Sequence, residues 1–502
     1  MGTISTAAAR LARNWLYRRG ARPRGRVAIA LAAPLLVGGG FAQEPEAQPA
    51  PEAEVAAEAQ ATRRPNILLL VTDDQRWDAL GCAGNPRART PHMDALAQDG
   101  VRFRNAFVTT SICAASRATI LTGLYERTHK YTFGTPPMSA ADVAASYPAE
   151  LRRAGYRTGF VGKFGVRAGQ GGSAVMFDSF APLSPGPYWK AQPDGTQRHL
   201  TDLTCDRALE FLDGCDGAQP WCLSISFNAP HAEDGDPQQY FWPAAQDGWY
   251  DDVEFPVPRT MTAEVFAAAP EFVQRSESRR RFHWRFDEPR KYQEMVRGYY
   301  RMISGVDAVV GRLRGALAAR GLADDTVIVF CSDNGYFLGE RGFAGKWYAY
   351  EPSVRIPLIV MDPRLPALRR GGTCDLTALN VDLAPTILEY AGVAAPSTYQ
   401  GRSLVPLARG VAPVEWRTEF FYEHLFDTPI LPKSEGLRTE RFTYIRWFES
   451  DPIVEELYDH QADFDEVTNL VGDPSYAVVL ADLRARADTR RDELGGPWSR
   501  PR

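Results

Sequence analysis

Cysteine is sparse and scattered in this 502-residue chain: there are seven, none in a CxxC pair. The spacing excludes zinc-ribbon and thioredoxin-type chemistry. Positive charge is not in excess either. Fifty-seven Lys and Arg against 62 Asp and Glu give a net charge of −5, so no basic field is available and no nucleic acid partner is expected. Past residue 37 no apolar run is long enough to cross a bilayer, so the mature chain should have no membrane span. No internal repeat is visible. What remains is a globular composition, 44% hydrophobic and 24% charged, with ample material for a core. The length fits two or three ordinary domains, or one large α/β domain with a smaller partner.

The N-terminus has its own texture. Arg10, Arg13, Arg18, Arg19, Arg22, Arg24 and Arg26 precede the apolar run Val27–Val37, and Gly40-Phe41-Ala42 follows with small residues at the positions a signal peptidase reads. That order predicts a cleaved export signal over residues 1–42, with a retained anchor as the alternative. An exported protein of this kind would be periplasmic or extracellular. Residues 43–64 are rich in Pro, Ala and Glu and lack large apolar side chains, which predicts a disordered tether. In an exported chain Cys205, Cys215 and Cys222 are the nearest candidates for bridging.

Asn66–Thr72, Arg157–Val161, Trp221–Phe227, Thr326–Cys331 and Pro357–Met361 are continuous apolar runs of strand length, as expected of strands buried on both faces. Helices are predicted between them, one opening at Thr90-Pro91 and closing at Gly100, another running from about Tyr292 to Ala319. Strands alternating with helices predict an α/β fold: a large mixed, mostly parallel sheet covered by helices. After about residue 410 short alternating strands appear at Glu419–Tyr422, Phe442–Trp447 and Glu456–Tyr458, then a helix near Tyr476–Glu493. These predict a main domain over 65–410 and a small α+β subdomain of antiparallel strands and a helix over 411–502.

Function in open parallel sheets gathers at the carboxyl ends of strands. Asp73-Asp74 and Asp333-Asn334 each follow a predicted buried strand. Together they offer an all-oxygen site for a hard divalent cation, calcium or magnesium; either pair alone would pass for loop caps. Thr109-Thr-Ser-Ile-Cys113 then leads into a helical run that places Cys113 in a first helical turn, where backbone N–H groups favour an anion. Arg117 shares its face and could offer a bidentate donor to the same anion. As a plain cysteine, Cys113 could be a low-pKa thiolate nucleophile.

Cys113-Ala-Ala-Ser-Arg117 followed by Leu121-Thr-Gly123 resembles the signature of the type I sulfatases of the alkaline-phosphatase superfamily. The likeness extends over roughly residues 65–500, and it implies an alkaline-phosphatase-like fold, a sulfatase domain over 65–410 and hydrolysis of sulfate esters. In that family a formylglycine-generating enzyme oxidises the cysteine to formylglycine, whose hydrated form attacks sulfur. Ala115 stands where the signature usually has proline. The resemblance makes Asp73, Asp74, Asp333, Asn334 and the modified Cys113 the metal ligands, with calcium the likelier ion. It makes Arg117, Lys163, His231 and Lys346 the groups around the sulfate, His231 near the leaving oxygen. Gly165 departs from the pattern, since many members have histidine there. The segments Asn228–Asp236 and Lys433–Arg441 look like members that desulfate glycans such as N-acetylglucosamine 6-sulfate. His424 and Arg438 are candidates for binding the sugar, although His129 and His424 taken alone read as structural. The rivals are a phosphodiesterase or phosphonate monoester hydrolase of the same superfamily, and a catalytically dead secreted glycan-binding protein.

Overall fold

The computed structural model describes residues 64–498 other than Asp216 and Ala412. The expected export signal, and the expected tether except Arg64, lie outside the described residues. The central strand, β1 (Asn66–Thr72), is buried along its whole length. Its side chains divide by alternation: Ile67, Leu69 and Val71 enter one hydrophobic cluster, Leu68 and Leu70 the other. A strand flanked by core on both faces has no need of polar alternation, which is why its sequence is a continuous apolar run.

Seven further strands complete the main sheet: β2 (Val101–Phe103), β3 (Arg157–Gly162), β4 (Ser179–Pro182), β5 (Trp221–Ser226), β6 (Thr326–Ser332), β7 (Leu358–Met361) and β8 (Gly372–Cys374). Their spatial order is β8-β2-β7-β6-β1-β5-β3-β4. All neighbours are parallel except β7, which runs antiparallel to both β6 and β2. On one face lie α1 (Pro91–Asp99), α3 (Leu200–Asp213) and α4 (Pro289–Ala319); on the other lie α2 (Cys113–Thr122) and α5 (Leu383–Tyr390). The expected mixed, mostly parallel α/β sheet is what forms. No disulfide forms among the described cysteines.

The C-terminal part is a four-stranded antiparallel sheet in sequence order, β9 (Glu419–His424), β10 (Ser434–Thr439), β11 (Phe442–Trp447) and β12 (Val454–Asp459), followed by α6 (Ala477–Glu493). It buttresses the segment that leads to Cys113. Glu423 N–H donates to the Thr109 carbonyl at 3.0 Å, and the Tyr422 hydroxyl donates to the Trp347 carbonyl at 2.6 Å. Arg127 ties the same sheet down through Glu423 at 2.9 Å and Glu435 at 2.6 Å.

Candidate active site

The strand tops converge. Thr72 ends β1, and its carbonyl accepts the Asp333 N–H at 3.0 Å, so the residues that follow β1 and β6 are held side by side. Asp74 turns away at φ +67°, a left-handed conformation uncommon for a side chain other than glycine. Asn334 Nδ2 donates to Asp74 Oδ1 at 2.6 Å, while Asn334 Oδ1 is buried without a hydrogen-bond partner. Gly335 is required beyond it, because a Cβ there would sit 2.3 Å from the Pro352 carbonyl oxygen. Asp73, Asp74, Asp333 and Asn334 are all essentially inaccessible.

Three cations and a histidine face these acids. Lys163, directly after β3, pairs through Nζ with Asp73. Lys346 Nζ lies 2.5 Å from Asp74 Oδ1 and 3.5 Å from Asp73 Oδ1. Arg117 Nε donates to Asp333 Oδ2 at 2.8 Å, and Nη2 reaches Asp73 Oδ2 at 3.3 Å. Its Nη1 is taken by the Lys163 carbonyl at 2.7 Å and by Ser226. His231 follows β5; its Nε2 is 3.8 Å from Asp74 Oδ2, and its Nδ1 lies 2.6 Å from the Ala232 carbonyl. A carbonyl can only accept, so Nδ1 carries the proton in the neutral ring.

Cys113 is the first residue of α2, and Ile112 at the N-cap supplies no side-chain cap. The free end of the helix therefore faces the acids and lysines with its backbone donors unspent. The sequence set Arg117, one turn on, beside an anion at Cys113; its partners among the described residues are protein groups. It is consumed by the two carboxylates, a carbonyl and a hydroxyl, and it clamps the acids in place. Gly165 packs against it: at φ +70°, a Cβ would meet Arg117 Cδ at 2.8 Å. The arginine thus occupies the space that a side chain at 165 would need.

The electrostatics follow from burial and neighbours. Burial would raise the Asp73 carboxyl, but Lys163, Lys346, His231 and Arg117 outweigh it and hold it far below the usual carboxylate range. Asp333 is pushed up to about 6 by burial and by Asp73. Lys346 keeps its proton against burial because Asp74, Cys113 and Asp73 surround it. Burial lowers His231, with Asp74 pulling the other way. The Cys113 thiol is raised by burial, which outweighs the opposite pull of Lys163 and Lys346. Burial thus opposes the low-pKa thiolate suggested by the helix start.

These groups suit a hard divalent cation. The donors are carboxylate and amide oxygens, buried and pre-packed, and the unpartnered Asn334 Oδ1 is a polar atom that such an ion would satisfy. Ligand atoms of Asp73, Asp74 and His231 lie within 4.8 Å of one another. Asp73, Asp74, Asp333 and Asn334 are brought together at the ends of β1 and β6, and Cys113 opens into the cavity that Lys163, Lys346 and His231 also line.

A cavity of about 670 Å³ opens over Cys113, Lys163, His231 and Lys346. His424 and Arg438, the expected sugar-binding pair, do not line it. His424 is fully buried on β9, on the side of the strand where Tyr422 reaches under Trp347. Arg438 is drawn instead into an ion pair with Glu351 at 3.2 Å. Asp234, inside the segment Asn228–Asp236 that the sequence singled out, does line the cavity; the sequence assigned no role to Glu277, Arg281 and Trp347 on the same wall, or to Phe133 and Phe426 at the rim. Only the i,i+4 spacing of Glu277 and Arg281 hinted at it, and that spacing reads as an ordinary helix pair.

Comparison with known proteins places this geometry. The Sulfatase family matches residues 65–393, and the family described as N-sulphoglucosamine sulphohydrolase, C-terminal, matches residues 339–493. An N-acetylglucosamine-6-O-sulfatase of Bacteroides thetaiotaomicron is 30% identical, over 84% of this chain and 85% of its own. A solved structure of a protein with its substrate D-glucosamine-2-N,6-O-disulfate aligns at TM-score 0.73 and 27% identity, covering 86% of this chain and 98% of that one. A phosphonate monoester hydrolase from Silicibacter pomeroyi aligns at TM-score 0.72 and 26% identity, covering 86% and 95%.

Proposed function

The chain belongs to the sulfatase family and is a sulfuric ester hydrolase, and from that premise we propose that it removes sulfate from glycans, of which N-acetylglucosamine 6-sulfate is the type, through a formylglycine made from Cys113. One observation carries the reading: Cys113 opens an uncapped helix within a cage of Lys163, Lys346, His231 and four buried oxygen-donor residues. Residues 65–410 form the catalytic domain in this reading and residues 411–502 its subdomain.

Asp73, Asp74, Asp333, Asn334 and the modified residue 113 would hold a calcium ion, with magnesium the alternative; bound there, it would supply Lewis-acid polarisation of the sulfuryl group, and residue 113 as hydrated formylglycine would supply the attacking oxygen. The side chains do the rest. Lys163 and Lys346 offset negative charge that spreads over the sulfuryl oxygens in the transition state. Arg117 fixes Asp73 and Asp333 so that this charge meets a preorganised site. His231, with Nδ1 committed to Ala232, presents Nε2 to the departing alcohol and donates only as imidazolium. Maturation calls for a formylglycine-generating enzyme. Export to the periplasm or outside the cell accords with the N-terminal sequence, and no helix among the described residues is long and apolar enough to cross a membrane.

The test is mass spectrometry of the peptide containing Cys113, joined to assays of sulfate and phosphate esters. An aldehyde at residue 113 with release of inorganic sulfate from N-acetylglucosamine 6-sulfate supports the proposal. Faster turnover of phosphonate monoesters or phosphate diesters would favour the rival shared with the aligned hydrolase. An unmodified thiol in correctly exported protein would leave the glycan-binding reading.

A further inference from the structure

The cavity has a second polar feature in its lining, around Arg281. Arg281 Nε donates to Glu277 Oε1 at 2.9 Å, and Nη2 lies 2.8 Å from Asp234 Oδ2. The guanidinium sits over Trp347, 5.0 Å from the ring centroid. Each carboxylate is in turn held from behind. Asp234 pairs with Arg285, a fully buried side chain anchored by Gln239 at 2.7 Å and the Tyr336 hydroxyl at 3.0 Å. Glu277 pairs with Arg280 at 2.8 Å.

Arg281 is therefore a locked side chain rather than a mobile surface arginine. Two carboxylates and a ring face fix its plane, and its Nη1 forms no hydrogen bond among the described residues. Of the cluster, Arg281, Asp234 and Glu277 line the cavity, while Arg280 and Arg285 offset the two carboxylates from outside the lining, so the five groups together carry one positive charge in excess. Among the described lining residues, Lys163, His231 and Lys346 gather at the sulfate end, and Arg281 alone brings positive charge to the rest of the wall. The same lining includes an aromatic pair, with the Phe133 and Phe426 rings 5.8 Å apart, a surface suited to the C–H face of a sugar rather than to charge.

Resting on the sulfatase reading above, we propose that Arg281 is a specificity residue that binds a second anionic substituent of the sugar bearing the scissile sulfate. A planar, charged donor held in one orientation pairs with an oxyanion at little further cost in side-chain entropy. The substrate class is then an acidic amino sugar with two anionic groups, not a simple monosulfate. The second group is an N-sulfate on the same ring or the carboxylate of an adjoining uronic acid.

The experiment measures binding by calorimetry, with calcium present, on the full chain carrying Cys113→Ala, so that turnover is not needed. Three probes are compared: N-acetylglucosamine 6-sulfate, D-glucosamine-2-N,6-O-disulfate, and a disaccharide of 6-sulfated N-acetylglucosamine with a uronic acid. At least one dianionic probe should bind roughly tenfold to a hundredfold more tightly than the first, and its identity tells N-sulfate from carboxylate. Arg281→Gln in that background should abolish the difference while leaving N-acetylglucosamine 6-sulfate binding in place, which also shows that the variant folds. Arg281→Lys should recover part of it. Equal binding of all three probes, no binding of any, or a preference that survives Arg281→Gln overturns the proposal. Discrimination without sulfate release by the intact protein would refute the hydrolase reading and leave this one standing; sulfate release without discrimination does the reverse.

Discussion

Asn334 Nδ2 donates to Asp74 Oδ1 at 2.6 Å although the two residues are 260 positions apart. The bond joins the ends of β1 and β6, and it turns the Asn334 carbonyl oxygen inward with no protein partner. The pair is thus set by the sheet before any ion arrives. Chelation should abolish turnover, and calcium should restore it. Ion at one hundred times its Kd should add about 2.7 kcal/mol to the unfolding free energy, read as a calcium-dependent rise in Tm. Asn334→Ala should weaken that rise. If Tm does not respond to calcium in the parent protein, the oxygen cluster is not a cation site.

Arg117 makes a second prediction. Its guanidinium spans Asp333, Asp73, the Lys163 carbonyl and Ser226, so Arg117→Ala takes from buried Asp333 its ion-pair partner and from Asp73 one of its three cations. Loss of about 3–5 kcal/mol is expected in denaturant unfolding, along with activity. Arg117→Lys should not rescue either, because an ammonium cannot fork between two acids and a carbonyl. A lysine variant with wild-type stability and turnover would show that the clamp is dispensable.

These residues mark what was legible in sequence. A strand buried on both faces writes itself as an unbroken apolar run, so β1, β3, β5, β6 and β7 were visible. Functional pairs at the ends of two of those strands followed from that placement. The short edge strand β8 carries too little pattern to see. Strand β10 is hidden by Ser434, Glu435 and Gly436, poor strand formers that pair because β9 and β11 hydrogen-bond them from both sides. Gly436 is needed where a Cβ would lie 1.9 Å from the Tyr444 carbonyl oxygen. Cavity walls were the least legible part. Asp234, Arg281 and Trp347 meet only through the fold, and each alone reads as a loop acid, a helix charge and a core ring. His424 and Arg438 lie outside the cavity lining for the converse reason: strand alternation buries His424, and Glu351 pairs with Arg438, which the segment Lys433–Arg441 carries.

His231 sets a pH dependence with a definite sign. Its Nδ1 proton is given to the Ala232 carbonyl, so Nε2 can donate only after the ring takes a second proton. Burial lowers its pKa below the ordinary value, about 6.5. For substrates with a sugar alcohol as leaving group, kcat/KM should therefore fall as pH rises through a value under about 6.5. His231→Gln should remove that limb and lower kcat about 10²–10⁴-fold, with a much smaller loss on aryl sulfates, whose leaving groups need no proton. Equal losses on both substrate types would refute the role of proton donor.

The last prediction concerns stability and two groups outside the chemistry. His424 is fully buried, neither ring nitrogen has a hydrogen-bond partner, and burial lowers its pKa to about 3. The folded protein keeps this ring neutral while the unfolded chain protonates it below about 6.5. Its contribution to stability is whole above that pH and is lost as pH falls toward 3, by up to about 1.4 kcal/mol per pH unit. Glu126 has the opposite sign. Burial and Glu423 push its carboxyl up to about 8, so it favours the fold in acid and weakens it as pH rises from the unfolded value of about 4.3 toward 8. Glu126→Gln should therefore raise Tm at neutral pH and leave it little changed near pH 4. His424→Leu should flatten the acid side of the profile without lowering Tm at pH 8, since an unpaired buried imidazole gives up no hydrogen bond when replaced by an apolar side chain of similar size. Parallel shifts of Tm across the whole pH range in both variants would mean that packing, not proton linkage, governs these two positions.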